Sequence, residues 1–275
     1  MRIYEDLQLA DHLARAAGRA ILDVKTEALS TSTLKADNSR VSKADLAADA
    51  VIRAGLLGTG DIVVTEETYA GALVPGSGRV WFIDPIDGTE DFLAGRPDYV
   101  VQIGLCLDGR PVLGVLYQPE TGVMWRGIVD ERCCERLGAD GTVSKRMVGA
   151  RPLLVPRLAV SVSHPAAMVD FLVTTLGGVA VRRGSVGLKV GMIVDDEADA
   201  YLTASRRIKV WDTCAPAAVL LAAGGVVESL DGAPLAFAGP AGHSSGVAMW
   251  TPLARAALRA KVDDAVARFA AARAS

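Results

Sequence analysis

Apolar positions recur along the start of the chain at helical spacing. Leu7, Leu9, Leu13, Ala16, Ala17, Ala20 and Ile21 form one stripe, which predicts a helix over 4–27. Residues 29–42 are rich in Ser and Thr, with Asp37, Asn38 and Ser39 as turn formers. Ser42 is placed to cap a second helix over 43–57, with Leu46, Ala50, Ile52 and Leu56 inside it. A short apolar run at 61–65 reads as a strand ending at Glu66-Glu67, and the Gly/Pro-rich stretch 69–78 reads as a mobile loop. Residues 80–84 form a second buried strand that breaks into Pro85. Three further runs, at 98–107, 111–118 and 122–129, give a β-rich region with a hairpin signal at Asp108-Gly109-Arg110.

The later pattern alternates. Strands are expected at 158–162, 178–182 and 198–203, each before a helix: one after Pro165, one over 185–195 and one over 212–223. Strands near 226–229 and 245–250 precede an Ala/Arg-rich helix over 252–272. Alternating strands and helices imply an α/β layered sheet flanked by helices. The polar run 138–151 interrupts the pattern. It places a soft boundary near 150, between an N-terminal α+β half (1–150) and a C-terminal α/β half (151–275).

Composition narrows the class. The 275 residues are 51% hydrophobic and 22% charged, a globular balance that can bury a sizeable core. A formal net charge of -3 gives no reason to expect a nucleic-acid polymer or an anionic membrane as partner. No window is apolar over the length needed to span a bilayer. Residues 1–25 carry charges of both signs, unlike a secretory leader, so a cytoplasmic protein is expected. Cys106, Cys133, Cys134 and Cys214 contain no C-x-x-C pair and fit reduced thiols.

The string Asp84-Pro85-Ile86-Asp87-Gly88-Thr89 carries the most chemistry. A hydrophobic strand delivers two acids into a turn stiffened by Pro85 and eased by Gly88. The carboxylates can converge on one point while Ile86 turns its carbonyl inward, a set of hard oxygen donors suited to Mg²⁺. The competing reading makes Asp87 the cap of a short helix over 89–93 and Asp84 a turn former. Glu66-Glu67 is a second strand-end acid pair, or else a solvated loop edge. Asp212 opens a helix of small residues, where an N-cap is the default role, and that role is compatible with binding a cation.

Taken in order, Glu66-Glu67, then Asp84 to Thr89, then Trp211-Asp212 followed by Ala223-Gly224-Gly225 resembles the inositol monophosphatase superfamily over nearly the whole chain. The resemblance implies a layered α-β-α-β-α sandwich of the inositol monophosphatase/fructose-1,6-bisphosphatase type. It also implies a lithium-sensitive phosphatase using two or three Mg²⁺ ions, as a monomer or homodimer. Carried onto this sequence, it makes Glu66, Asp84, the Ile86 carbonyl, Asp87 and Asp212 the metal ligands. Asp45 and Thr89, with Glu67, become the catalytic candidates that position or activate water; Asp45 alone reads as a surface helix residue. The amides of Gly88 and Thr89 would receive the phosphate.

The substrate is less sharply indicated. The string from Lys35 to Asp45 is similar to the 3'(2'),5'-bisphosphate nucleotidase branch, as are Ser161-Val162-Ser163-His164 and Gly184-Ser185-Val186-Gly187-Leu188-Lys189. These imply Ser163, His164, Gly184, Ser185 and Lys189 as substrate-binding residues and adenosine 3',5'-bisphosphate as substrate. Val162 stands where that branch commonly has Arg, and His164 equally reads as a helix-entry residue beside Pro165. Ser205 stands where inositol monophosphatases usually carry a sugar-binding Glu, and the nearby Arg206, Arg207 and Lys209 would suit a second phosphate. An inositol or other sugar monophosphatase, a histidinol-phosphatase, a fructose-1,6-bisphosphatase and a catalytically silent phosphate-binding protein are the alternatives.

Overall fold

The structure is a computed structural model that describes residues 2–30, 32–34, 40–149 and 151–274. Helices α1 (Arg2–Ser30) and α2 (Lys43–Leu56) flank a short antiparallel pair, β1 (Ser32–Leu34) and β2 (Arg40–Ser42). Then come β3 (Ile62–Thr65), β4 (Arg79–Asp87), the short helix α3 (Thr89–Leu93), β5 (Val100–Leu107), β6 (Arg110–Gln118), β7 (Val123–Ile128), β8 (Cys133–Leu137) and β9 (Val143–Lys145). The remainder runs β10 (Arg157–Ser161), α4 (Ala167–Thr175), β11 (Val179–Arg183), α5 (Val186–Val194), β12 (Ala200–Thr203), α6 (Val210–Ala222), β13 (Val226–Glu228), β14 (Val247–Trp250) and α7 (Pro252–Ala274).

Two sheets carry the fold. Strands β3 to β9 lie in sequence order in a seven-stranded sheet, antiparallel throughout except for the parallel β3–β4 pair. The second sheet has the order β11-β10-β12-β14-β13 and is mixed. Strand side chains alternate between faces, so each strand feeds two cores. Trp81 and Ile83 pack against the buried stripe of α1 and α2, while Val80 and Phe82 pack against α5 and α6. Tyr201 and Met249 reach the same central layer from the second sheet, and Leu202 and Trp250 turn outward to α4 and α7. The layers are therefore α1/α2, sheet, α5/α6, sheet, α4/α7: the expected α-β-α-β-α sandwich.

A row of glycines seats α6. Gly104, Gly114 and Gly127 are in register across β5, β6 and β7. A Cβ on Gly104 would lie 2.6 Å from Ala215 N, one on Gly114 would lie 2.3 Å from Ala215 O, and one on Gly127 would lie 2.7 Å from the Ala222 Cβ. Only bare backbone lets the helix come this close to the sheet. The approach brings Asp212, in the first turn of α6, over the ends of β3 and β4. Pro216 has no N–H to give the Asp212 carbonyl, so the helical ladder is interrupted at that residue.

Three local expectations are corrected. The strand at 80–84 does not stop at Pro85 but pairs with β5 through Asp87. The polar run after 138 contains β9, because alternating residues there pair with β8 at the sheet edge. The 69–78 loop is tied down twice, by the Tyr69 ring against Trp211 (centroids 5.0 Å apart) and by a bridge from Val74 to Gly239.

Candidate active site

The parallel pairing of β3 and β4 brings two strand ends together. Thr65 pairs with Ile83, and the Glu66 N–H continues the ladder by donating to the Ile83 carbonyl at 3.0 Å. Glu66 therefore emerges beside Asp84. In a regular strand Asp84 and Asp87, an odd number of residues apart, would face opposite sides of the sheet. The β4–β5 register prevents this: Asp84 pairs with Gln102 and Asp87 with Val100, so β4 carries one extra residue across that interval. Such a bulge re-aims side chains. Here it sends Ile86 to the outer core and leaves both acids on the inner face. The Asp84 Oδ1 accepts the Ile86 N–H at 3.0 Å, holding the turn.

Asp212 completes the cluster. Carboxylate oxygens of Glu66, Asp84 and Asp212 all lie within 4.8 Å of one another. Asp212 is not the N-cap expected from the sequence: α6 starts earlier, at Val210, and Asp212 is its third residue, accepting the Lys209 N–H at 2.8 Å. Asp45 occupies the same place in α2. Its Oδ2 accepts from the N–H and the hydroxyl of the cap residue Ser42, at 2.8 and 2.6 Å. The other oxygen, Oδ1, lies 3.2 Å from Thr89 Oγ1, which is also 3.0 Å from the Ile86 carbonyl. Asp45 is buried, not a surface helix residue.

Asp87 does not cap α3, whose N-cap is Gly88 with φ 102°. A Cβ there would stand 2.7 Å from the Asp98 carbonyl, so both conformation and space demand glycine. Instead, Asp87 Oδ2 accepts the Ser185 hydroxyl and, at 2.8 Å, the Gly187 N–H at the start of α5. Ser185 is the N-cap of α5 and holds φ 55° to do this. Lys189 is buried on the same helix, 5.1 Å from the Tyr201 ring centroid. Ser185 and the Gly187 amide thus hold Asp87, while the Lys189 charge acts on it through space. Ser163 donates to Asp91 Oδ2 at 2.6 Å, and the Gly184 N–H donates to Asp98 Oδ2 at 3.3 Å. His164 is exposed at the end of β10, and Glu67 is half-buried in the turn after Glu66. Residues 35–39 of the nucleotidase-like string lie outside the described residues.

The inositol monophosphatase family profile matches residues 4–265. The chain belongs to the inositol monophosphatase family. It is 36% identical to a 3'(2'),5'-bisphosphate nucleotidase CysQ of Escherichia coli O157:H7, over 81% of this chain and 90% of that protein. It is 33% identical to a 3'-phosphoadenosine 5'-phosphate phosphatase of Mycobacterium leprae, over 84% of each. Its fold superposes on an IMPase of Thermotoga maritima with a TM-score of 0.78 at 18% identity, covering 96% of this chain and 99% of the other. This member of the family is accordingly a phosphatase, a phosphoric monoester hydrolase. No helix among the described residues is long and apolar enough to cross a membrane.

Family members are generally metal-dependent, and the electrostatics of this site fit a cation. Burial first, then the charges of Glu66, Asp87, Asp212 and Asp45, push the Asp84 carboxyl well above its usual range. Burial and the same neighbours, Glu66 and Asp87, do this to Asp212. Asp87 is raised by burial but relieved by Lys189, Ser185 and the α5 amides. Lys189, in turn, is pushed down to about 8 by burial, against the pull of Asp87, Asp91 and Asp98. Acids crowded with too little positive charge could hold a hard divalent ion. Asp45 and Asp212 lie in the first turns of α2 and α6, and Asp87 accepts from the first turn of α5, so three helix N-termini favour the ionised carboxylates.

Sequence reasoning missed Asp91. In a short helix it reads as a solvated acid, yet it is buried, gripped by Arg96 and by Ser163 from the second sheet. Bare backbone at Gly184, where a Cβ would fall 2.3 Å from Asp91 Oδ2, lets the second sheet close over that acid.

Proposed function

We propose that this phosphatase is a Mg²⁺-dependent 3'(2'),5'-bisphosphate nucleotidase that hydrolyses adenosine 3',5'-bisphosphate to AMP and phosphate. The observation that carries the metal part is the three-carboxylate cluster of Glu66, Asp84 and Asp212. The substrate part rests on the kinship with relatives named for that activity.

Glu66, Asp84, Asp87, Asp212 and the Ile86 carbonyl would hold the cations. The chemistry those cations would supply is neutralisation of phosphate charge, a lowered pKa for water and stabilisation of the leaving alkoxide. The chain supplies the rest. Thr89 Oγ1 takes the proton of the attacking water as it passes its own to Asp45 Oδ1. Asp45 can receive it there because Ser42 already occupies Oδ2. Water oxygen bonds to phosphorus, the ester P–O bond breaks, the departing alkoxide takes a proton from solvent water, and Asp45 returns its proton to solvent. The N–H groups of Gly88 and Thr89, at the start of α3, receive the phosphate oxygens. Glu67, in the turn after Glu66, would join Asp45 and Thr89 in positioning the water. Ser185 serves the reaction by holding Asp87, and Lys189, Ser163 and Gly184 remain candidates to face the substrate. Exposed Arg206 and Arg207, on the turn before α6, and His164 are available to the second phosphate or the nucleoside. In this reading residues 1–150 supply most metal ligands, and 151–275 supply Asp212 and the specificity segments.

A phosphate-release panel tests the reading. Adenosine 3',5'-bisphosphate, inositol 1-phosphate, fructose 1,6-bisphosphate and histidinol phosphate are compared with Mg²⁺ and after chelation. The bisphosphate nucleotide is expected to give the highest specificity constant, and chelation to remove it. A higher constant for inositol 1-phosphate would move the enzyme to sugar phosphates; turnover unchanged by chelation would reject the metal.

A further inference from the structure

Gln102 is fully buried in the middle of β5, and neither its amide nitrogen nor its amide oxygen has a hydrogen-bond partner among the described residues. A buried primary amide ordinarily satisfies both atoms, so one that does not needs a reason. Its position supplies one. Gln102 is the direct cross-strand partner of Asp84, so their side chains share the inner face of the sheet. The same row continues to Leu116 and Trp125, both buried in the central apolar layer. The amide is thus the step between the acid cluster and the hydrocarbon behind it.

Its other flank is the start of α5. A Cβ on Gly187 would lie 3.5 Å from the Gln102 amide carbon, and the Gly187 N–H is the group that holds Asp87. Gln102 is therefore bracketed by Asp84 on one side and the anchor of Asp87 on the other. A neutral amide suits this place: it can donate to a carboxylate and accept from an N–H without changing the charge of the site. Leu would leave the acids facing hydrocarbon; Lys would cancel the charge that attracts a cation.

We propose that Gln102 is a positioning residue of the metal centre, its amide taking up hydrogen bonds to the Asp84 side of the cluster as a divalent cation draws the acids together. The proposal rests on the metal-binding reading of Glu66, Asp84, Asp87 and Asp212. Gln102 works through its neighbours Asp84 and the first turn of α5.

Titration calorimetry of Mg²⁺ into metal-free protein, paired with thermal melts with and without Mg²⁺, tests it on Gln102→Met and Gln102→Glu. Gln102→Met keeps the volume and removes the amide. Its metal-free melting temperature is expected to equal or exceed wild type, since an unpaired buried amide is gone, while its Mg²⁺ affinity falls about tenfold, the scale of groups that orient metal ligands. Gln102→Glu keeps the shape but adds a charge. It is expected to melt lower without metal and to recover fully with Mg²⁺, binding it more tightly than wild type. Should Gln102→Met not fold, the metal-linked recovery of Gln102→Glu decides alone. Mg²⁺ affinities within twofold of wild type in the variants that fold, or no recovery in Gln102→Glu, overturn the proposal. Wild-type protein that binds no Mg²⁺ overturns the metal centre and, with it, this role.

Discussion

The Asp87 carboxylate accepts a hydrogen bond from the hydroxyl of Ser185, a residue distant in sequence whose backbone stands at φ 55°. One acid at the end of β4 thereby becomes the anchor of α5, and α5 becomes the support of that acid. Ser185→Ala is expected to lower kcat/KM or Mg²⁺ affinity by about 10–100-fold, the range for partners that orient metal ligands. Loss of the helix cap should cost about 1 kcal/mol, read by denaturant unfolding. Asp87→Asn is expected to abolish turnover while far-UV circular dichroism stays native. Retention of most activity would remove Asp87 from the site.

Thr89 and Asp45 make a separable prediction. Thr89→Val preserves shape and removes the hydroxyl that lies 3.2 Å from Asp45 Oδ1. The expected result is a fall in kcat of about 10²–10⁴-fold with KM little changed, because proton transfer is lost and phosphate contacts remain. Thr89→Ser is expected to recover most of the rate. A Thr89→Val enzyme at wild-type kcat would break the relay.

Metal should stabilise the fold itself. Burial and mutual repulsion oppose ionisation of Asp84 and Asp212, and a divalent ion reverses that balance. At a hundredfold excess over its Kd, Mg²⁺ is expected to add about 2.7 kcal/mol, measured as a rise in melting temperature. Glu66→Gln should blunt the rise. A flat melting curve at millimolar Mg²⁺ would count against the cluster as a cation site.

The glycine row predicts a stability effect remote from the chemistry. Gly114→Ala places a Cβ 2.3 Å from the Ala215 carbonyl oxygen, so α6 must move. A loss of about 1–3 kcal/mol is expected, with reduced activity, because Asp212 moves with the helix. Gly58→Ala, where a Cβ would meet nothing within 4 Å, is the matched control and should stay within about 0.5 kcal/mol.

His243 gives a pH signature. It is buried with Nε2 2.7 Å from the Thr213 hydroxyl, and burial pushes its pKa down from 6.5 to about 4. Between those values the unfolded chain binds a proton that the folded one refuses. Stability from this group therefore rises with pH from about 4 to 6.5 and is lost as pH falls, by about 1.4 kcal/mol per pH unit in that window. His243→Gln should remove this slope. Parallel stability curves for the two proteins across pH 4 to 6.5 would show that His243 titrates normally.

Much of the fold was readable because its elements are locally coded. The α1 stripe, the Ser42 cap and the strand before Asp84 depend on neighbours in sequence, and each has its expected type. Boundaries failed where tertiary contacts extend or restart an element. Strand β4 continues past Pro85 because β5 offers partners across a bulge, and β9 forms because β8 is there to pair with it. The acids were legible as types and spacings. Ser185 was legible as a polar residue in a suggestive string, but not that its hydroxyl donates to Asp87.

From the sequence alone came most of the longer strands and helices, the acids at strand ends and the family pattern that joins them, since these reside in residue identity and short-range spacing. The three-dimensional chain decided which oxygens meet. That depends on a one-residue bulge turning Asp87 to the face of Asp84, on bare glycine backbone letting α6 carry Asp212 to within 4.8 Å of Glu66 and Asp84, and on α5 capping an acid distant in sequence. Each is a matter of register and close approach between segments, and no periodicity within a segment encodes the distance to another.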